Sequence, residues 1–308
     1  MNTYYTIDFS LPSRSVVALG CFDGVHVAHA RVIAEAKKKA DELSCKCVVW
    51  TFDTPPKNFF LPTPVPLLTD AEQKKDAIRA LGADILVSVP FDKRTSEISP
   101  ESFFDEIIIK RLNACHIVCG FDYAFGKSGK GNVEMLQSLC SAGGIGLSVI
   151  PEVLQNGVTV SSSAIREFLL NGMPEKAASL LGRPYALRSN VINGQHLARR
   201  LGFPTVNQQI PSGMLIPQYG VYVSEILTDR SAKKLYGITN VGIRPTVGGN
   251  TPYVETHIFD FSGDLYGTEI QVGFLAFLRP ERKFGSTDDL STQVKHDIEA
   301  AKKFIKTI

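Results

Sequence analysis

From Val16 to Leu19 every side chain is apolar. Beyond it apolar residues return at helical spacing, as Val32, Ile33, Ala36, Ala40 and Leu43. The first pattern predicts a buried parallel strand, the second an amphipathic helix that packs on it. The alternation continues. Cys47 to Phe52 reads as a strand that ends in a proline-rich loop, Thr54 to Pro66. Thr69-Asp70-Ala71-Glu72 reads as a capping box that opens a helix to about Leu81. Ile85 to Val89 is the next strand. Ser99-Pro100 supplies an N-cap and a proline at the first helical position, for a helix to about Leu112. His116 to Cys119, Val133 to Ala142 and Gly146 to Ile150 then read as strand, helix and strand. Such regular βα alternation predicts a parallel sheet covered by helices on both faces, with ligands at the carboxyl ends of its strands. The loops after Leu19, Phe52 and Cys119 share that edge.

The pattern changes after Arg183-Pro184. Short strand-like runs follow: Ala186 to Ile192, Gly220 to Leu227, Lys234 to Thr239, Tyr253 to Phe261 and Ile270 to Leu278. Turn signals separate them at Asn193-Gly194, Gly248-Gly249-Asn250 and Ser262-Gly263-Asp264. This spacing predicts an antiparallel β-barrel. A helix from Ser286 to Lys306 closes the chain, with Leu290, Val294, Ile298, Ala301 and Ile305 as its apolar stripe. The expectation is an α/β chain of two domains, residues 1–183 and 184–308.

Composition narrows the partners more than the fold. The chain has 308 residues, 44% hydrophobic and 21% charged, with a net charge of +2. No global field points to nucleic acid or an anionic membrane. No leader of signal-peptide form stands at Met1, and no apolar run is long enough to span a bilayer, so a cytoplasmic location is expected. Of six cysteines, Cys115 and Cys119 flank His116 in a near-metal pattern. Alternation along a strand would send them to opposite faces, and structural thiols are the reading taken.

Candidate chemistry gathers at the predicted sheet edge. His26 and His29 stand where a strand turns into a helix, and a helix N-terminus attracts phosphate. The alternative is a first turn whose histidines cap or pack. The loop Gly120 to Gly131 holds four glycines and two lysines, which suits close approach to an anion. Its Gly126-Lys127-Ser128 lacks the upstream glycine of a phosphate loop. In Ser161-Ser162-Ser163-Ala164-Ile165-Arg166 a serine caps a helix. Arg166 in the first turn would oppose the helix dipole, which phosphate binding explains better than packing. In the barrel half, Thr205 and Asn207 offer neutral oxygens on one side of an extended segment, as Mg²⁺ accepts. Glu255 sits mid-strand. It either faces solvent or points into a ligand cavity as a general base.

Both halves resemble one family, the bifunctional bacterial riboflavin kinases/FAD synthetases, in the order of their motifs. The stretch from Leu19 to His29, with Gly20, Phe22, Asp23 and Gly24, resembles a nucleotidyltransferase signature with two histidines. Gly120-Phe121-Asp122-Tyr123-Ala124-Phe125-Gly126 is similar to the family's Gly-Phe-Asp-Phe-x-Phe-Gly loop, and Ser161 to Arg166 to its Ser-Ser-Thr-x-Ile-Arg. Gly202-Phe203-Pro204-Thr205-Val206-Asn207 resembles the kinase motif Gly-Phe-Pro-Thr-Ala-Asn. Val241 to Thr246, Glu255-Thr256-His257 and Leu278 to Phe284 match further kinase motifs.

The resemblance implies a nucleotidyltransferase-type, Rossmann-like N-terminal domain and a barrel that phosphorylates riboflavin with ATP. The resulting FMN is then adenylylated to FAD, with release of pyrophosphate. It implies Glu255 as base, and Thr205 and Asn207 as ligands of Mg²⁺ or Mn²⁺. His26, His29 and Arg166 would be the charge on the phosphates of the adenylylation step. Ser162, Ser163, Gly194, Arg199 and Arg279 would line the nucleotide and flavin sites. Three departures bear on activity. Ala28 replaces a glycine between the histidines, Pro55 replaces a histidine, and Leu197-Ala198-Arg199 stands for Arg-Gly-Arg. One lost charged contact to phosphate costs ~1.5–3 kcal/mol. The alternatives are a paralogue with one surviving activity and a non-catalytic flavin- or nucleotide-binding regulator.

Overall fold

The first apolar run becomes a strand buried at all its positions, β2 (Ser15–Leu19). In the computed structural model, residues 1–192, 203–231, 233–246 and 249–308 are described. Contacts divide the chain into two units, Met1–Ser162 and Ser163–Ile308.

The first unit alternates strand and helix. Around β2 lie β1 (Asn2–Tyr4), α1 (Val27–Glu42), β3 (Lys46–Phe52), α2 (Ala71–Ala80), β4 (Ile85–Val89) and the short α3 (Lys93–Ser96). Next, α4 (Pro100–Ser102) runs on into a wide, π-type helix (Phe103–Arg111), followed by β5 (Ala114–Gly120), α5 (Val133–Gly143) and β6 (Gly146–Ile150). The small hairpin of β7 (Leu154–Gln155) and β8 (Val158–Thr159) ends the unit. The sheet runs β1-β4-β3-β2-β5-β6 with all neighbours parallel. Both faces are covered. Val17, Leu19, Val48 and Trp50 pack under Phe103, Ile107 and Leu136. Val16, Ala18 and Val49 pack under Ile33 and Ala36 of α1 and Ile78 of α2. Burial on both faces is why these strands read as unbroken apolar runs. Strand order reverses between β2 and β5, so the loops after them flank the switch point where such sheets bind ligands.

Two local expectations shift. The capping box of α2 is built one residue later than expected. Asp70 accepts from the Gln73 amide at 2.7 Å, and the Gln73 side chain accepts from the Asp70 amide at 3.1 Å. Thr69 is occupied elsewhere, since its hydroxyl accepts from the Gly24 amide at 3.2 Å. The helix α6 (Ser162–Leu170) begins at Ser162, so Arg166 is its fifth residue rather than part of its first turn.

The second unit continues with α7 (Pro174–Leu181) and the strands β9 (Tyr185–Ile192), β10 (Val206–Gln209), β11 (Gly220–Thr228), β12 (Leu235–Thr246), β13 (Gly249–Ile258) and β14 (Glu269–Pro280). They close an antiparallel barrel in the order β10-β13-β12-β11-β14-β9. β12 outruns its predicted end because its pairing with β13 continues from Gly237↔Ile258 to Thr246↔Gly249, through a glycine and a proline that broke the sequence pattern. β13 stops at Ile258 rather than Phe261, near the left-handed turn at Asp260 (φ 53°). The segment read only as extended around Asn207 is a true strand, β10, held between β9 and β13.

Each barrel strand has one face inside and one outside. Val191, Ile226, Ile258 and Ile270 pack across the interior. Val221, Val223, Ile238 and Ala276 face outward, where the C-terminal helix α8 (Thr287–Ile305) covers them with Val294, Ile298 and Ala301. Ser286 caps α8, as its sequence position predicts, by accepting from the Asp289 amide at 3.1 Å.

Candidate active sites

The first unit holds a cavity of about 550 Å³ at the carboxyl edge of its sheet. Three separate stretches meet there: Gly20 to His29 after β2, Phe52 to Phe60 after β3, and Gly120 to Gly126 after β5. The turn after β2 is tight. Gly24 (φ 83°) suits the left-handed region, but Phe22 (φ 50°) and Val25 (φ 41°) also occupy it. For a β-branched residue that conformation is strained, and surrounding contacts must hold it. They do: Asp23 Oδ1 accepts from the Leu68 amide at 3.0 Å, and the Ser162 hydroxyl donates to the Asp23 carbonyl at 2.9 Å. Asp23 is therefore buried structure beneath the site.

This turn aims two imidazoles into the cavity. His26 is the N-cap of α1, and its Nδ1 accepts from the His29 amide at 3.2 Å. The capping alternative holds for His26, and both histidines also line the cavity. Their rings stack with centroids 3.5 Å apart, and Phe22 packs edge-on to His29 at 5.1 Å. Burial first, then the nearby His26 and Lys74, hold the His29 imidazole well below the usual histidine range. That favours the neutral ring near pH 7. His29 Nδ1 and Trp50 Nε1 are buried polar atoms with no hydrogen-bond partner among the described residues, and both residues line the cavity. Two orphaned groups on one wall fit a site built for a ligand with its own polar atoms.

The rest of the wall is aromatic and glycine-rich. Phe52, Phe60, Phe91, Phe121 and Phe125 line the cavity, which suits a planar ring. Gly120, Asp122 and Gly126 lie in the β5 loop. At Gly126 (φ 71°) a Cβ would stand 2.6 Å from the Pro100 nitrogen, so only glycine fits. Ala28 lines the cavity from the first turn of α1. Pro55 is buried at the start of a short turn, Pro56–Phe59, whose Lys57 lines the cavity and brings a cation to that loop. Ser162 lines the cavity, whereas Ser163 and Arg166 fall in the second unit, where Arg166 is 7% exposed.

The second unit has a smaller cavity, about 300 Å³, on the outer wall of the barrel beside α8. Phe203, Thr205, Asn240, Tyr253, Glu255, His257 and Arg279 line it. Register explains the grouping. Glu255 of β13 stands opposite Asn207 of β10 and Asn240 of β12. Opposed residues on antiparallel strands share a face. The Thr205 hydroxyl donates to Glu255 Oε1 at 2.7 Å. His257 Nδ1 lies 2.9 Å from the Pro204 carbonyl and its ring meets Phe203 edge-on, which fastens this segment to β13. Arg279 is committed to α8. It makes a two-pronged pair with buried Asp297, whose other contact is the Gln293 amide at 2.8 Å. Its charge is neutralised there, so it shapes the cavity more than it supplies a field. Gly194, Arg199 and Gly202, with Leu197 and Ala198, lie outside the described residues.

Sequence reasoning missed Asn240, Tyr253 and the buried Lys74. Asn240 donates to the Tyr253 hydroxyl at 2.9 Å. It directly precedes a motif that was noticed, but only strand pairing puts it beside Glu255. Among the described residues no cluster of three or more His, Cys, Asp or Glu could hold a metal, and no helix is long and apolar enough to cross a membrane.

Residues 9–164 match the FAD synthetase family model, and residues 181–305 the riboflavin kinase model. The bifunctional riboflavin kinase/FMN adenylyltransferase of Bacillus subtilis is 34% identical over 96% of this chain and 94% of its own length. That of Haemophilus influenzae is 33% identical over 94% of each. A solved structure described as a macrolide-efflux protein from Streptococcus pneumoniae superposes with a TM-score of 0.90, at 31% identity, over 98% of this chain and 99% of that one.

Proposed function

Because the chain belongs to the bifunctional riboflavin kinase/FMN adenylyltransferase family and carries both its domains, we propose that its two cavities are the two active sites. The observation that carries this is their separation. Each unit has its own cavity, one with two imidazoles and a lysine beside a helix N-terminus, the other with a carboxylate.

In the barrel site the ribityl 5′-hydroxyl of riboflavin attacks the γ-phosphoryl of ATP, and ADP leaves. Glu255 takes the hydroxyl proton. Thr205 holds one carboxylate oxygen of Glu255 by its hydrogen bond, which orients the base. Thr205 and Asn207 would also hold a divalent cation, Mg²⁺ or Mn²⁺. Thr205 lines the cavity beside Glu255, and Asn207 is buried opposite Glu255 on the neighbouring strand; two neutral hard oxygens near a carboxylate fit such an ion, which keeps much of its shell for water and phosphate. When bound, the cation neutralises charge on the transferring phosphoryl group.

In the α/β site the FMN phosphate attacks the α-phosphorus of ATP, and pyrophosphate leaves. The nucleophile is already an anion, so no base is required. The residues must instead stabilise charge that builds on the α-phosphate and the leaving group. The N-terminus of α1, the imidazoles of His26 and His29, and the cation of Lys57 support that role. Six free thiols, with Cys45 and Cys115 unbridged at 3.5 Å, support a reducing compartment, the cytoplasm.

The test is direct. The protein is incubated with riboflavin, ATP and Mg²⁺ and the flavins are separated. FMN followed by FAD is expected. FMN alone would remove the first-unit assignment, and no FMN from riboflavin would remove the barrel assignment.

A further inference from the structure

Helix α2 turns two residues inward, Lys74 and Ile78, one helical turn apart. Lys74 is 4% exposed. Its ammonium donates to the Phe52 carbonyl at 2.9 Å and to the Cys21 carbonyl at 3.3 Å. Phe52 ends β3, and Cys21 lies two residues beyond β2. One cation therefore ties together the exits of two neighbouring strands, directly under the turn that carries His26 and His29.

As a way to fill a core position this is unfavourable on three counts. Burial strips water from the charge. The residue stands in the first turn of α2, where the helix dipole repels a cation. An ammonium has three donors and two acceptors are in place, with no carboxylate at ion-pair distance among the described residues. Asp23 and Asp53 favour the charge only from further away. A methionine would pack on Ile78 with none of these penalties.

We propose that Lys74 is a positioning residue of the adenylyltransferase site. It pins the exits of β2 and β3 through their carbonyls and places an unscreened positive charge beneath the phosphate-facing histidine turn. The inference rests on the reading of His26 and His29 as phosphate-facing. It accounts for two features at once: the ordered, strained turn above the ammonium, and the electrostatic reach of Lys74 to His29, where it joins His26 in opposing protonation. The titratable groups that face this pair are His26 from the cap of α1, Asp23 and Cys21 from the turn after β2, and Asp53 from the loop after β3.

Lys74→Met removes both the hydrogen bonds and the charge. Lys74→Gln removes the charge and keeps donors for the carbonyls. In each, kcat for FAD formation from FMN and ATP is expected to fall at least tenfold, with KM for FMN within threefold. FMN formation from riboflavin, in the other unit, is expected to stay within twofold. NMR titration of the histidine signals, with His29 assigned by His29→Ala, should show its pKa rise in Lys74→Gln, since a repelling charge is gone. A lysine held neutral in the fold would not move it. FAD formation within twofold of wild type in Lys74→Gln overturns the proposal, as does a loss with the His29 titration unchanged. If Lys74→Met does not fold, Lys74→Gln decides alone. If His29→Ala also leaves FAD formation intact, the reading of the site itself has failed. If His29→Ala abolishes it while Lys74→Gln does not, only the role of Lys74 has.

Discussion

The two units line their cavities from opposite parts of a strand. In the α/β unit the candidate groups stand just beyond strand ends, on turns where α1 begins and glycine loops bend. In the barrel they stand in mid-strand, on the outer wall, where register sets Glu255 abreast of Asn207 and Asn240. Under the proposed assignments the difference follows the chemistry. Adenylylation of an existing anion needs N–H donors and cations aimed at phosphates, and turns and helix N-termini supply them. Activation of a hydroxyl needs one carboxylate held still, and a paired strand with a hydroxyl neighbour supplies that.

The sharpest break of this comparison is Glu255→Gln. FMN formation should fall ~10²–10⁴-fold, the usual value of a positioned base, while riboflavin binding followed by flavin fluorescence persists. A rate within tenfold of wild type would leave the barrel without a base. Next is Asp297→Ala, which strands the Arg279 guanidinium against α8. Removing one partner of a buried pair costs ~3–5 kcal/mol, seen as a lower urea midpoint for the barrel, with the α/β transition unchanged. His29→Ala should lower FAD formation roughly tenfold to hundredfold, as loss of a ~1.5–3 kcal/mol contact to an anion predicts. FMN formation should be spared, and equal loss of both would mean misfolding.

Smaller effects separate the units by stability alone. Ser286→Ala removes the cap of α8 and should cost the barrel ~1 kcal/mol, read from its thermal midpoint. In the α/β unit pH is the probe. His29 has its pKa lowered in the folded state, so below about pH 6.5, the ordinary histidine value, the unfolded chain binds a proton that the folded one refuses. Stability contributed by the neutral ring is full above that pH and is lost as pH falls through it. The thermal midpoint of the α/β unit should drop from pH 7 to pH 5, and His29→Gln should flatten the slope. His116, lowered by burial on the same unit, contributes in the same direction.

The sequence by itself determined the alternation of β2 to β6 with their helices. It also determined the histidine turn after Leu19 and the cap at Ser286, because these rest on contacts between residues close in the chain. Motifs in loops were legible for the same reason. Only tertiary structure decided the rest. The parity of β13 and its pairing with β10 and β12 chose whether Glu255 meets solvent or a cavity. A side-chain bond to a distant amide moved the α2 cap from Thr69 to Asp70. The packing of α2 over two strand ends turned Lys74 from an ordinary helix residue into a buried cation. Each of these depends on partners far away in sequence, and such partners leave no periodic trace in the chain. The histidines at the first turn were readable at once. What stacks the two rings and keeps His29 neutral, a burial and a lysine 45 positions further on, exists only once the sheet has formed.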